Sequence, residues 1–539
     1  MKRSLRIVLS LVSGILLSLA WLGFPGWILF VALLPLLFLD DFFVNEKENY
    51  RGVSFFGHAL LAFFIWNLVT TWWIMHASPA GAATAIILNS FFMALIWWLG
   101  HTARRRFSKN LGYLALIVFY LSFEFLHYHW DIEWPWLTLG NGFANNVKMV
   151  QWYEYTGVFG GSLWVLTVNI LIYKILKKLV KKESFRHFLI EWISLAFIML
   201  LPLSLSFGMY FNYSEEKNPK EIVLVQPNVN PYSESYTVAA EKKKLQKFIG
   251  LARKEAGNNT DFIVGPETVF ERYPEWEVSR IEYLQAYREL NNLIQGYPEA
   301  ELMIGLSSSK IYGPGEKPSE TARSMNGTSY DVYNSALFIN RAGESQLYHK
   351  SILVSGVEKV PYMKYLGFLK NLIIDLGGTS GNLGRQDEPT NFIASDGTEI
   401  APAICYESIF GEYMTEFVRN GAGFIFIITN DGWWKDTPGY RQHLSFARLR
   451  AIETRRSVAR AANTGISAFI NQRGDILRQT DWWEDAVIKG TLNANNRITF
   501  YTQQGDYLAR IASFLSVLLL LWLLTEKLRG INPKTKAGK

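Results

Sequence analysis

The sequence predicts a multi-pass α-helical membrane bundle of eight spans joined to one extracytoplasmic α/β domain. Three observations predict it. Eight apolar runs are long enough to cross about 30 Å of hydrocarbon. Positive charge gathers beside alternate ends of those runs, and the interval from about residue 212 to 506 changes to short strand-length apolar runs separated by polar helical segments. The 539 residues are 49% hydrophobic and 15% aromatic, with a mean hydropathy of +0.07. That is too apolar for one ordinary soluble domain.

The apolar runs lie at about residues 6–22, 26–43, 53–75, 81–100, 111–128, 160–180, 188–210 and 507–525. The first follows Lys2, Arg3 and Arg6 like a signal peptide. A second run comes at once across Gly23-Phe24-Pro25-Gly26, so the pair reads as a hairpin of two helices. With the N-terminus inside, the cytoplasmic segments are 44–52, 101–110, 174–187 and the tail after 526. Arg104, Arg105, Arg106 and Lys109 mark one such loop, and Lys174, Lys177, Lys178, Lys181, Lys182 and Arg186 the next. Lys527, Arg529, Lys534, Lys536 and Lys539 mark the tail, whereas the opposite loops carry only Lys148. The positive-inside rule is met at each turn, and seven spans before the long interval put residues 212–506 outside. The net charge of +7 is thus a topology signal rather than a phosphate-binding groove, and no nucleic-acid partner is expected.

The domains expected are a seven-helix membrane part over 1–211, an α/β domain over 212–506, an eighth span over 507–526 and a basic cytoplasmic tail over 527–539. Within the α/β domain the strands expected are Ile222 to Val225, Phe262 to Val264, Leu302 to Leu306, Ser335 to Ile339, Glu399 to Ile404, Phe424 to Thr429, Ser457 to Ala461 and Ser467 to Asn471. Residues 239–256, 278–296, 408–420 and 440–454 have helical composition and spacing. Polar and reactive residues fall just past the strand runs: Gln226, Glu267, Cys405 and Asn430. Ligand crevices of open α/β sheets lie at the carboxyl ends of strands, so a site built from several strand ends is expected.

There is one cysteine, Cys405, and eight His without HExxH-like spacing. No intramolecular disulfide is possible, and no metal is expected. Cys405 comes after a buried-looking strand and precedes a helix start, where backbone dipoles favour a thiolate. A thiol that attacks a carbonyl needs a base for its proton and a donor for the developing oxyanion. Glu267, in Gly265-Pro266-Glu267-Thr268, is placed to be that base, with a pKa raised by burial, and Lys350, in Tyr348-His349-Lys350, could supply the fixed positive charge. Taken singly, each has a plainer reading: an inert core thiol, an acid at a helix start, a solvated amine.

Order and context change that reading. Glu, Lys and Cys in that order, each in its own motif, resemble the nitrilase superfamily. With the spans before and after, the chain resembles the bacterial apolipoprotein N-acyltransferases over essentially its full length. The motifs are Trp134-Pro135-Trp136-Leu137, Gln151, Gly157-Val158-Phe159-Gly160-Gly161, Val225-Gln226-Pro227-Asn228 and Asn430-Asp431-Gly432-Trp433-Trp434. They continue with Gln442-His443, Ala447-Arg448, Arg450-Ala451 and Arg460 through Asn463-Thr464-Gly465. The resemblance implies an α-β-β-α sandwich with Glu267 as general base, Lys350 as oxyanion stabiliser and Cys405 as nucleophile. It implies supporting or substrate-binding roles for Glu358, Tyr406, Glu407, Asn334 and Trp433. Two positions depart from the family pattern: Val357 stands where Gly is common before Glu358, and the family's loop Trp has only Tyr232 and Tyr236 nearby.

The resemblance further implies ping-pong transfer of an acyl chain from a phospholipid, through a cysteine thioester, to the α-amino group of a diacylglyceryl-modified apolipoprotein. The implied location is the inner membrane with the catalytic domain periplasmic, and no cofactor is implied. A membrane-tethered amidase using the same triad and a non-catalytic scaffold are the competing readings. Residues 360–376, rich in aromatic and aliphatic side chains that include Phe368 and Leu372, are expected to form a lipid-dipping arm or a helix packed on the domain core. Glu124, inside the fifth span, is either functional or paired with His127. Asn89 and Asn169 are expected to bond between helices.

Overall fold

A computed structural model describes residues 1–232, 237–271, 276–362 and 382–528. The chain divides into two compact units. One comprises Met1–Trp72, Ala82–Phe211 and the chain from Gln504; the other comprises Trp73–Gly81 and Asn212–Gln503. Residues 363–381, which hold most of the expected arm with Phe368 and Leu372, lie outside the described residues.

The first unit is helical. Counted over the described residues of the whole chain, eight helices are long and apolar enough to cross a membrane: Arg3–Leu22, Gly26–Asn45, Val53–His76, Pro79–Arg106, Asn110–His129, Tyr153–Val180, Phe185–Asn212 and Tyr507–Thr525. The sixth starts seven residues before the expected run because Tyr153 to Phe159 forms a helical turn broken by Gly157, whose φ of 58° suits glycine. Glycine is also required at Gly140, where a Cβ would stand 1.9 Å from the Val158 carbonyl oxygen. The two asparagines expected to bond inside the bundle do so. Asn89 donates to Asn67 Oδ1 at 2.7 Å, and Asn169 donates to the Leu29 carbonyl at 2.8 Å while accepting from the Leu33 N–H at 3.0 Å. Glu124 does not take His127 as its partner: it accepts the Leu139 N–H at 2.7 Å, and His127 Nδ1 accepts from Trp130 at 3.3 Å.

Among the described residues, the second unit holds thirteen strands in two sheets. They are β1 (Pro219–Gln226), β2 (Phe262–Val264), β3 (Glu301–Ile311), β4 (Arg323–Met325), β5 (Thr328–Ile339), β6 (Ser345–His349), β7 (Phe392–Ile393), β8 (Glu399–Ile404), β9 (Phe424–Thr429), β10 (Ser457–Ala462), β11 (Ala468–Ile470), β12 (Ile476–Gln479) and β13 (Ala486–Asn493). The first sheet runs β13-β1-β2-β3-β5-β4, with β6 also on β5; the second runs β12-β11-β10-β9-β8-β7. The strands that lead into Gln226, Glu267, Cys405 and Asn430 lie in parallel runs, β1 to β2 to β3 and β8 to β9 to β10, whereas β5 and β6, which bring in Asn334 and Lys350, pair antiparallel. The carboxyl ends of the parallel strands therefore share an edge.

Strand alternation sorts the core. In β1, Val223 and Val225 pack with Leu245, Phe248 and Ala252 of helix Val238–Glu255, whereas Ile222 and Leu224 pack with Ala401, Phe426 and Val458 of the other sheet. The rings of Phe262 and Phe426 meet across the sheets at 5.4 Å. Helices Gly411–Arg419 and Pro438–Thr454 cover the second sheet through Met414, Phe417, Leu444 and Ala447. The layers are helix, sheet, sheet, helix.

The eight expected strands are present, six within three residues of their expected bounds, while β5 starts seven residues before and β3 ends five residues after the expected run. Five were not foreseen: β4, β6, β7, β12 and β13. Most are short or polar, and β13 reads Ala-Val-Ile-Lys-Gly-Thr-Leu-Asn, whose alternation is broken by Gly490. The helix expected over 278–296 is a 3-10 segment, Val278–Tyr283, and a separate helix, Gln285–Ile294. The helix expected over 408–420 is likewise a 3-10 turn, Cys405–Ile409, and then a helix, Gly411–Arg419.

Candidate active site

Glu267 lies just past β2 and is 6% exposed. Its Oε1 lies 3.3 Å from Lys350 Nζ and accepts from Asn334 Nδ2 at 2.8 Å; its Oε2 accepts the Asn430 N–H at 2.9 Å. Lys350 lies just past β6 in the same sheet, and Asn430 just past β9 in the other. Glu267 thus links the two sheets at their shared edge. Gly305 of β3 lies directly against this loop: a Cβ there would stand 2.6 Å from Glu267 Cα, 2.7 Å from the Pro266 oxygen and 2.8 Å from Thr268 N. These are backbone atoms that cannot swing away, and Thr268 already has a φ of 46°. Gly305→Ala is expected to lower turnover at least about tenfold while overpacking costs about 1–3 kcal/mol of stability. A folded variant with wild-type turnover, measured alongside its melting temperature, would show that Glu267 needs no such fixed backbone.

Lys350 is 1% exposed, with Glu358 Oε1 at 2.9 Å as its second carboxylate. Burial pulls its ammonium down, but the negative charges of Glu358 and Glu267 outweigh burial and hold it above the ordinary lysine range. Glu358 Oε1 also accepts from Asn334 Nδ2 at 3.1 Å, and its Oε2 accepts the Val354 N–H at 2.8 Å. Asn334 on β5 therefore donates to both carboxylates and fixes their spacing around Lys350.

Cys405 lies just past β8 with a φ of 51°, in the left-handed region that few residues other than glycine adopt. The structure corrects the expectation that helix-end dipoles favour a thiolate. Burial and the negative charge of Glu267 push the thiol well above its ordinary value, against the opposing pull of Lys350. A five-residue 3-10 turn offers too weak a dipole to reverse this. The direction of the shift favours the thiol over the thiolate.

Glu407 is fully buried and ties the Cys405 turn to the Lys350 loop. Its Oε2 accepts the Ile404 N–H at 2.8 Å, and its Oε1 accepts the Ser351 N–H at 2.7 Å, the Ile352 N–H at 3.2 Å and the Tyr348 hydroxyl at 2.7 Å. Burial pushes its pKa up to about 7 against those hydrogen bonds. Tyr406 packs its buried ring on Phe410 at 5.3 Å.

Gln226 and Trp433 make their contacts with residues other than Glu267, Lys350 and Cys405. Gln226 fastens the end of β1 to the β11–β12 hairpin, accepting from Ser467 and Thr480 at 2.8 Å each and donating to the Asp481 carbonyl at 2.9 Å. Trp433 is half-buried against the Tyr232 ring at 5.8 Å, and its carbonyl accepts the Tyr232 hydroxyl at 2.6 Å. Tyr236 lies outside the described residues.

Sequence reasoning missed a buried cluster behind Cys405. Asp431, His443 and Arg460 are fully buried, with Asp431 Oδ1 3.0 Å from His443 Nδ1 and Asp431 Oδ2 accepting from Arg460 at 2.6 Å. Each lies within one of the family-like motifs. Their meeting depends on β9, β10 and helix Pro438–Thr454 packing side by side, which no local pattern states.

A half-buried thiol, a carboxylate and an ammonium at the strand ends of an α-β-β-α sandwich place this unit in the carbon–nitrogen hydrolase class. The carbon-nitrogen hydrolase family matches residues 224–499, and the apolipoprotein N-acyltransferase N-terminal domain matches residues 13–171. The chain is 30% identical to an apolipoprotein N-acyltransferase of Chlorobaculum tepidum over 95% of each chain. It is 24% identical to the enzyme of that name from Thermotoga maritima, over 95% of this chain and 92% of the relative. It is 26% identical to that of Geobacter metallireducens, over 93% and 92%. The chain belongs to the apolipoprotein N-acyltransferase family.

Proposed function

We propose that this chain is the acyltransferase of lipoprotein maturation. It moves an acyl chain from a membrane phospholipid to the N-terminal α-amino group of a diacylglyceryl-cysteine apolipoprotein, by way of a thioester on Cys405. The observation that carries the reading is the convergence of half-buried Cys405 with the paired charges of Glu267 and Lys350, in a chain whose described residues include eight apolar helices of spanning length. A long acyl chain and a lipid-anchored acceptor both reside in the bilayer, so neither has to be drawn into water.

In the first half-reaction Glu267 takes the thiol proton as sulfur attacks the ester carbonyl. The Lys350 ammonium, held charged by Glu267 and Glu358, stabilises the oxyanion. Collapse of the tetrahedral intermediate breaks the ester C–O bond, and Glu267 returns the proton to the departing lysophospholipid oxygen. In the second, the neutral acceptor amine attacks the thioester, Glu267 takes a proton from nitrogen, and as the C–S bond breaks Glu267 returns that proton to the departing sulfur, leaving the amide and the Cys405 thiol. Asn334, Glu358 and Glu407 hold the geometry. Proteoliposomes given a phospholipid with a labelled acyl chain and a diacylglyceryl-cysteine peptide test this. Label in the peptide amide supports the transfer, whereas label only in free fatty acid supports the amidase-like hydrolase.

We further infer that the catalytic domain is periplasmic. Seven spans precede it, and the Lys and Arg near the span ends gather on the N-terminal side. Alkaline phosphatase fused after residue 503 is expected to be active, and the same enzyme fused after residue 528 inactive. The reverse pattern would invert the topology.

A further inference from the structure

We propose that His443 is a positioning residue for the nucleophile, holding the Cys405 carbonyl so that the turn keeps its left-handed backbone. This rests on the assignment of Cys405 as the acylated residue. A non-glycine residue at a φ of 51° reverts to the ordinary region unless its neighbours prevent it. Two neighbours hold it here. The Cys405 carbonyl accepts from Ser408 Oγ at 2.7 Å and lies 3.2 Å from His443 Nε2, which is itself 3.1 Å from Ser408 Oγ. The carbonyl is an acceptor only, so His443 presents an N–H there.

The other ring nitrogen is fixed as firmly. His443 Nδ1 lies 3.0 Å from Asp431 Oδ1 and 3.2 Å from an Arg460 Nη, one acceptor and one donor, so the ring fits with or without a proton on Nδ1. Asp431 is anchored in turn by Arg460 at 2.6 Å and by the Thr429 hydroxyl at 2.8 Å. Although burial pushes its carboxyl up, Arg460 and His443 hold it well below the usual carboxylate range. The edge of Trp434 packs on the His443 ring, 5.7 Å between centroids. The chain of contact runs from a buried ion pair, through one imidazole, to the backbone of the nucleophile. Because the Cys405 carbonyl and the Tyr406 N–H share one planar trans peptide, fixing the first sets the direction of the second.

Two conservative substitutions separate this role from mere anchoring of Asp431. The amide of Gln reaches where Nε2 stands, and the amide of Asn reaches only where Nδ1 stands. His443→Gln therefore keeps the contact to Cys405, and His443→Asn keeps the contact to Asp431. We expect the acylation rate of the Asn variant to fall about 100-fold with KM for phospholipid unchanged, as for an ångström-scale misplacement of a reacting atom. The Gln variant should stay within about tenfold of wild type.

Cys405 is the sole thiol, so alkylation by iodoacetamide reads its surroundings without any lipid. In the Asn variant the sulfur leaves burial and the charge of Glu267, and the midpoint of the alkylation pH profile should move down toward that of an ordinary cysteine. In the Gln variant it should stay. An Asn variant equal to wild type, or Asn and Gln variants equally impaired, would overturn the proposal. If wild-type protein is never acylated by phospholipid, the functional reading fails, while the alkylation profiles still decide the role of His443.

Discussion

Glu267→Gln is expected to slow acylation of Cys405 by about two to four orders of magnitude, the usual contribution of a positioned general base. Burial and the Glu267 charge favour the thiol over the thiolate at Cys405, so attack requires an acceptor for its proton. Gln has the shape of Glu but accepts no proton at neutral pH. The same exchange tests the carboxylate's structural part. Gln Oε1 can still accept from Lys350 and Asn334, but its NH2 would face the Asn430 N–H, which now donates to Oε2 at 2.9 Å. A donor set against a buried donor costs about 1–3 kcal/mol, so a modest drop in melting temperature should accompany the loss of rate. Single-turnover acylation within tenfold of wild type would remove Glu267 from the base role.

Lys350→Met is expected to combine two losses. Removing an oxyanion donor lowers the rate by about two to three orders of magnitude. Removing the ammonium also leaves Glu267 and Glu358, 6% and 5% exposed, as buried carboxylates without their cation. Breaking such a buried pair costs about 3–5 kcal/mol. The double variant Lys350→Met with Glu358→Gln should therefore regain stability without regaining rate. The pH dependence has a definite sign. The folded-state pKa of Lys350 is raised above its unfolded value, so its contribution is complete below about pH 10 and is lost only as pH rises through the folded value. The stability gap between wild type and Lys350→Met should not narrow through loss of the lysine's charge between pH 6 and 9. A gap that closes on raising the pH to 9 would mean that Lys350 is not held charged by its carboxylates.

Much of this site was legible because its residues sit at strand ends. Apolar runs such as Phe262-Ile263-Val264 and Phe424 to Thr429 announce buried strands, and a residue just past such a run must lie at an edge of the sheet. Glu267, Cys405 and Asn430 were found in that way. Lys350 was harder, since β6 reads Ser-Gln-Leu-Tyr-His, too polar to stand out, and only its motif marked it. Gln226 satisfied the same positional rule yet serves packing, because its amide is consumed by the β11–β12 hairpin. The contacts of Gly305, His443 and Arg460 escaped notice for one physical reason: each acts by close approach to backbone or buried charge on another element, a property of packing rather than of local sequence. The state of the thiol also depended on packing. A helix start suggested a thiolate, and three-dimensional burial beside Glu267 reversed the sign.

The most direct test of the central claim is an acceptor-free incubation of the purified protein with a phospholipid of defined acyl chains, and then mass spectrometry of the Cys405 peptide. A gain of one acyl mass on Cys405 is expected, removed by hydroxylamine, absent in Cys405→Ala, and discharged as an amide when a diacylglyceryl-cysteine peptide is added. No adduct on Cys405, or the same adduct in Cys405→Ala, would contradict it.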